Sequence, residues 1–431
     1  MRKAAQKNRE PLLFEELRQA PKGRSPLAEE LFCWREFGKP TGYATTTAQT
    51  LHGQVVVDTF INEYWSRAQR QGHGLHEVSY RACFKPELPA FFVDRLTKPG
   101  DVVYDPFMGR GTTLLEAALR GRVPFGNDAN PLSSMLLRPR LSPPRQSEVE
   151  ARLEAIDLSI GGEDAPRELL AFYHEDTLRE IAALRAWLLA RERDGALDAV
   201  DDWIRMVTVN RLTGHSPGFL SVYTMPPNQA VSVESQLRIN AKRRQEPPRR
   251  DLRAVVAKKS KALLLAVSDD DRARLAASSA AALLCAEQAG STPSIRDASV
   301  DLVVTSPPFL DVVQYKDDNW LRCWFCGIDV DAVEITMARS VDAWAAAMQL
   351  VFHELFRVVK PGGHVAFEVG EVRRGAVRLE EVVLPVAIAA GFSPELVMIH
   401  AQQFTKTANC WGIDNNARGT NTQRVVVLRR G

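Results

Sequence analysis

Asp101-Val102-Val103-Tyr104-Asp105-Pro106-Phe107-Met108-Gly109-Arg110-Gly111-Thr112-Thr113 decides how this chain is read. Its first five residues are a short apolar run ending in an acid, the pattern of a buried strand. Gly109 and Gly111 permit backbone angles and a close approach that a Cβ would block. Thr112 to Arg120 continues as an apolar-faced helix, whose first N–H groups are free to meet an anionic group. Val123 to Asp128 is a second strand ending in an acid, placed where a carboxylate can accept both hydroxyls of a ribose. Asp128 equally suits the capping of a turn within Asn127-Asp128-Ala129-Asn130-Pro131.

The same alternation resumes far downstream. Val300 to Thr305 is an apolar strand that runs into Ser306-Pro307-Pro308-Phe309. A helix over Ala345 to Val359 is stopped by Lys360-Pro361-Gly362-Gly363. Strands follow at His364–Val369, Glu395–His400 and Arg424–Leu428. Strand–helix alternation predicts an α/β fold, a mostly parallel sheet covered on both faces that binds ligands at its carboxyl edge. Between Pro131 and Ala286 the alternation gives way to helices. Ser147 to Glu150 is a capping-box signature, and Leu178, Ile181, Leu184, Trp187 and Leu188 mark an amphipathic helix. Trp203, Ile204 and Val207 mark another. The division expected is an N-terminal, partly helical extension (1–75), a first half of the α/β domain (76–135), a helical insertion (136–285) and a second half (286–431). Within the extension, Phe60, Ile61, Tyr64, Trp65 and Ala68 predict a helix over Leu51–Gln71. The alanine-rich stretch 276–290 also reads as helical.

Composition narrows the function classes. An apolar fraction of 45% is ample for a core, and no apolar run is long enough to cross a bilayer. No basic and apolar N-terminal pattern of a secretory signal is present, so a cytoplasmic location is expected. Six scattered cysteines fit a reducing compartment, and the lone Cys323-x-x-Cys326 faces no second pair, so no metal site is expected. Net charge is only +2, but ten cations crowd Arg238 to Lys261 against Glu246 and Asp251. That excess is the footprint of a phosphate-contacting surface, with Arg243, Arg244, Arg249 and Arg250 as the expected nucleic-acid contacts. A solvated linker around Pro247-Pro248 is the competing reading.

Asp105 to Thr113 resembles the Asp-Pro-Phe-x-Gly-x-Gly-Thr-Thr signature of the amino-group DNA methyltransferases. Ser306-Pro307-Pro308-Phe309 resembles their Asp/Asn/Ser-Pro-Pro-Tyr/Phe loop, and Phe84-Lys85-Pro86 resembles their Phe-x-Lys-Pro element. The resemblance covers residues 80–135 and 295–431. It implies a Rossmann-like sheet with an antiparallel final strand and S-adenosylmethionine as cofactor. Lys85, Pro86, Asp105, Pro106, Phe107, Gly109, Gly111, Thr112 and Asp128 are then the cofactor-binding residues. The acid that reaches the adenine amino group in this family should fall within 285–292, where Glu287 and Ser291 are the candidates.

The same resemblance assigns the chemistry. An exocyclic amine is a poor nucleophile because its lone pair is conjugated with the ring. Ser306 Oγ and the Pro307 carbonyl are suited to accept both amino hydrogens, while Pro307-Pro308 stiffens the loop and Phe309 offers a face for stacking a flipped base. Ser306, Pro307, Pro308 and Phe309 are therefore the expected catalytic residues. The serine implies the N4 of cytosine in duplex DNA. Adenine N6 of DNA or RNA is the alternative, and a non-catalytic nucleic-acid-binding protein the reading from another class. Carbon-5 methylation would need a cysteine nucleophile after proline, and the chain has no Pro-Cys dipeptide. The motif order resembles the α group, which makes 136–285 the expected target-recognition region and a cognate restriction endonuclease a conceivable partner. Oligomeric state is not fixed by the sequence.

Overall fold

The computed structural model describes residues 24–65, 72–80, 83–225, 230–308, 315–333, 338, 340–372, 377–401 and 422–431. Nine strands form one sheet. They are β1 (Gly42–Thr50), β2 (Gly53–Asn62), β3 (Val102–Asp105), β4 (Val123–Asn127), β5 (Leu283–Cys285), β6 (Val300–Thr305), β7 (Val359–Val369), β10 (Phe392–Ala401) and β11 (Thr422–Arg430). A separate small hairpin pairs β8 (Glu371–Val372) with β9 (Val377–Arg378). The sheet order is β1-β2-β10-β11-β7-β6-β3-β4-β5. From β7 to β5 all pairings are parallel, and β11 runs antiparallel to both β7 and β10. This is the Rossmann-like arrangement with an antiparallel last strand that the sequence implied. Chain order reverses between β3 and β6, so a crevice opens there at the carboxyl edge.

Period-two alternation sends the central strands' side chains into two apolar layers. Val103, Leu302, Val304, Ala366, Val425 and Val427 face α1 (Pro26–Cys33), α2 (Glu87–Leu96) and α3 (Thr112–Leu119). Tyr104, Val303, Val365, Phe367 and Val426 face the other way. That second layer is closed by two further helices, α12 (Val341–Val358) and α13 (Leu379–Ala389). No helix among the described residues is long and apolar enough to cross a membrane.

Between β4 and β5 the chain builds α4 (Leu132–Leu141), α5 (Gln146–Ala155), α6 (Glu175–Arg193), α7 (Ala199–Val209), α8 (Val233–Arg243), α9 (Leu252–Leu264) and α10 (Asp269–Ser279). The capping box of α5 is centred on Arg145, whose amide donates to Glu148, two residues ahead of the expected start. From beyond β6, α11 (Tyr315–Phe325) joins this helical core through Leu321, Cys323 and Phe325. Met108 and Leu114, at the glycine turn, belong to the same core.

Two expected elements differ. Leu51–Gln71 is not a helix: β1 and β2 form an antiparallel hairpin, and β2 pairs in parallel with β10. The β-branched run Val55-Val56-Val57 favours extended backbone, and Gly53 at φ +115° closes the turn beside a fully solvated Leu51. Residues 66–71 lie outside the described residues. The alanine-rich stretch is not helical throughout either. α10 ends at Ser279, and Leu283–Cys285 pairs in parallel with β4, because the sheet edge supplies ladder partners that three residues of propensity could not announce.

Phe60, fully buried between β2 and the α1/α2 layer, tests this revised register. Replacing Phe60 by Ala should cost about 3–5 kcal/mol of unfolding free energy by denaturant titration, the loss of a core aromatic. A cost within about 0.5 kcal/mol would place Phe60 at a surface and refute the hairpin.

Candidate active site

The two decisive segments meet through one buried carboxylate. Asp105 ends β3 at 2% exposure. Its Oδ1 accepts from the Phe107 amide at 3.1 Å and from the Thr305 hydroxyl at 2.6 Å. Burial pushes the Asp105 carboxyl up to about 7, against the pull of those two donors. One helical turn on, Thr113 Oγ1 donates to the Val304 carbonyl at 3.0 Å. Strand β3, the head of α3 and strand β6 are thereby fixed to one another.

The turn between β3 and α3 is held from β4. Asp128 Oδ2 accepts from the Gly109 amide and Oδ1 from the Asn130 amide, both at 2.9 Å. Asp128 therefore caps its own loop and also lines the cavity. Burial raises its pKa, opposed by the same amides. Gly109 and Gly111 take φ of +50° and +77°, the left-handed region that glycine occupies without cost. A Cβ on Gly111 would also lie 2.8 Å from the Leu137 methyls. Asn127 completes the frame. Its side chain donates to the Glu287 carbonyl and accepts from the Glu287 amide, each at 2.9 Å, which fixes the loop after β5.

Around this frame lies a cavity of about 420 Å³. Asp105, Pro106, Phe107, Gly109, Thr112 and Asp128 line it together with Ser306 and Pro308, while Pro307 is buried outside the lining. Gly111 shapes the turn from behind the wall. Of the element before α2, Cys83 and Phe84 reach the cavity while Lys85 and Pro86 stand outside its wall, with Pro86 at the N-cap of α2. Ser291 lines the cavity together with Gln288, Ala289 and Gly290. Glu287 does not, since its carboxylate accepts from Ser294 at 2.6 Å. Phe309 lies outside the described residues.

Two contributors escaped sequence reasoning. Trp344 on α12, almost wholly buried, donates its indole N–H to the Pro308 carbonyl at 3.0 Å and so anchors the proline loop from the opposite layer. Glu368 on β7 is buried near Ser306, whose side chain favours its charged form. Burial pushes Glu368 up to about 7, and Ser306 opposes that rise. The only signal in the sequence was an acid inside an otherwise apolar strand, Val365-Ala366-Phe367-Glu368-Val369. A buried acid of that kind is costly unless a polar group meets it.

The basic tract is unevenly engaged. Arg249 pairs with Glu180 and Asp176, and Lys259 pairs with Glu77 at 2.7 Å. Arg250 lends its carbonyl to Thr177 and is partly buried. Arg243 stacks at 3.8 Å over the Tyr223 ring, while Arg244 caps α8 in left-handed backbone with φ +50°. Cys323 and Cys326 are both buried, Cys323 against Asn130. Among the described residues no group of three or more His, Cys, Asp or Glu side chains is placed to hold a metal.

Residues 22–133 match a protein-family model described as DNA methylase. The type II methyltransferase M.MvaI of Kocuria varians is 34% identical over 99 residues, 22% of this chain and 20% of that protein. M.MjaII of Methanocaldococcus jannaschii, also a type II methyltransferase, is 36% identical over 69 residues, 16% of this chain and 13% of its own. The chain thus spans a fifth or less of either curated relative. Among solved structures, the putative DNA modification methylase TTHA0409 of Thermus thermophilus, complexed with S-adenosyl-L-methionine, is 22% identical with a TM-score of 0.21. That likeness covers 32% of this chain and 50% of TTHA0409. The [4+2]-cyclase SpnF is 10% identical over 84% of this chain and 85% of its own, with a TM-score of 0.34.

Gly111→Ala should destabilise the protein by about 1–3 kcal/mol in denaturant unfolding, from left-handed strain plus the Leu137 clash. A loss under about 0.5 kcal/mol would mean that the turn does not need this backbone.

Proposed function

We propose that this chain, a relative of the amino-group DNA methyltransferases over residues 22–133, methylates an exocyclic amino group of a base in duplex DNA. Cytosine N4 is the proposed target and S-adenosylmethionine the methyl donor. The observation that carries the reading is the Thr305–Asp105 bond, which brings the glycine turn and Ser306 into the wall of one cavity. The cavity's donors and acceptors suit that cofactor. Each Asp128 oxygen accepts one backbone amide and keeps a second lone pair for a ribose hydroxyl. Phe107 and the Gln288–Ser291 loop offer the flanking surface for an adenine.

Bound there, S-adenosylmethionine supplies an electrophilic methyl group on a sulfonium. Ser306 then works in two directions. With its hydroxyl proton offered to nearby Glu368, an oxygen lone pair would remain for one amino hydrogen of the target. The Pro307 carbonyl takes the other amino hydrogen, which favours a pyramidal nitrogen. As the N–C bond forms, the methyl–sulfur bond breaks and its electron pair stays on sulfur. The alkylated nitrogen passes its surplus proton to Ser306 Oγ as Ser306 passes its own to Glu368. Trp344 holds the Pro308 carbonyl, so the loop keeps its aim through the transfer. Carriage of specificity by residues 136–285 is part of the same proposal.

Incubation with unmethylated DNA and S-adenosylmethionine, then nucleoside mass spectrometry, should yield N4-methylcytosine. Ser306→Ala should lower turnover by about 10²-fold and leave cofactor affinity unchanged. N6-methyladenine as the product would overturn the cytosine assignment alone. No methylated nucleoside would overturn DNA methylation itself.

Glu368 adds a pH signature. Only its ionised form can take the proton, so kcat should fall as pH drops through about 7, where burial places this carboxyl. Glu368→Gln should be slower and lose that limb. The stability effect has a definite sign, because the folded pKa lies above the ordinary 4.5. Its contribution is full below about 4.5 and is lost as pH rises through about 7, so the Gln variant should melt higher than the parent above pH 7. An unchanged kcat–pH profile in the variant would remove Glu368 from the mechanism.

A further inference from the structure

The sequence pointed to the Arg238–Lys261 tract for nucleic-acid contact, yet three of its cations are already engaged within the protein. Arg249 is held by Glu180, Lys259 by Glu77, and Arg253 by the Leu153 and Ile156 carbonyls. A cation from outside the tract, Arg211, stands next to the cavity. After α7, the segment Arg211–Met225 folds back on itself: the Leu220 amide donates to the Arg211 carbonyl, and the Thr224 amide to that of Gly214. Phe219 closes over Gly214, where a Cβ would lie 2.3 Å from the ring. His215, Pro217 and Gly218 form an exposed tip.

This loop is tied to the cavity wall. Asn210, at the end of α7, accepts the Ser79 amide at 2.9 Å, and the next residue, Tyr80, lines the cavity. At the base of the loop, the Arg211 guanidinium stacks 4.0 Å over the Phe219 ring, and its Nε donates to the Asn210 carbonyl. Burial, together with repulsion from nearby Arg322, pulls Arg211 down to about 10. Glu77 opposes that fall, but its carboxylate is paired with Lys259. Among the described residues no carboxylate lies within salt-bridge distance of Arg211. At the far end of the loop, Arg243 stacks over Tyr223, again with no acidic partner among the described residues. From Arg211 through Val233 the sequence contains no Asp or Glu.

A guanidinium stacked on an aromatic ring keeps its in-plane N–H donors free and its orientation fixed, the arrangement that suits a phosphate oxygen. We propose that the Arg211–Met225 loop is where the helical unit grips the DNA backbone beside the target base, with Arg211, aimed by Phe219, and Arg243, aimed by Tyr223, as phosphate contacts. This assignment rests on the DNA-methylation reading above and replaces Arg249 as an expected contact.

The test is duplex binding as a function of salt, by fluorescence anisotropy on a labelled random-sequence duplex between about 50 and 200 mM salt. Arg211→Gln and Arg243→Gln should each weaken binding several-fold and flatten the log K against log salt slope by about one unit, with cofactor affinity unchanged. Arg249→Gln should keep the parental slope. If Arg211→Gln keeps the parental slope and affinity while the parent methylates DNA, this assignment falls alone. If the parent binds no duplex and methylates no DNA, the assignment falls together with the reading it rests on.

Discussion

The buried Asp105 carboxylate is the constraint from which the rest of the site follows. It is withdrawn from water at the end of β3, and such a group is tolerated only when donors meet it. One donor, the Phe107 amide, is local and sets the entry to the glycine turn. The other, Thr305, comes from 200 residues downstream and brings β6 alongside. The order of β6 against β3, the crevice at their ends and the placement of Ser306 all depend on that second bond. With Asp105 pushed up to about 7, its charge near neutral pH is sensitive to whatever occupies the cavity.

The helical unit is bound to the cofactor-side turn more closely than its place in the sequence suggests. Gly111 packs against Leu137 of α4, and Met108 and Leu114 lie in the helical core. Arg140 is wholly buried, among the described residues it has no carboxylate beside it, and it spends its donors on the Leu136, Leu75 and Arg110 carbonyls. Burial lowers that arginine to about 9. A charge held this way acts as a rigid strut between α4 and the glycine turn.

What was legible in the sequence was what is local. Asp105, Gly109 and Asp128 sit within one strand–turn–helix–strand unit, and Ser306 and Pro308 follow directly on a strand, so two short motifs already name much of the wall they form. Trp344 and Glu368 were not legible because each acts on a residue far from it in the chain, Pro308 and Ser306. The hairpin at 42–62 was misread for a different reason. Phe60, Ile61, Tyr64 and Trp65 fall at helical spacing, and only the β-branched run before them and the glycine turn favour the strand. In the basic tract, a local charge count cannot see Asp176, Glu180 and Glu77, which pair with Arg249 and Lys259.

The placement of β5 also bears on how the chain reaches this fold. It lies beside β4, yet the Asn127–Glu287 bonds that seat it close a loop of 160 residues. The entropy of closing so long a loop is recovered only if the intervening chain is already compact. Helices α4 to α10 must therefore condense before the sheet gains its last edge. The hairpin β1–β2 and the β10–β11 pair, by contrast, can start early from nearer contacts. A late-docking edge strand of three residues is also a poor template for pairing with another chain. At this edge the sheet thus leaves little exposed ladder on which aggregation could start.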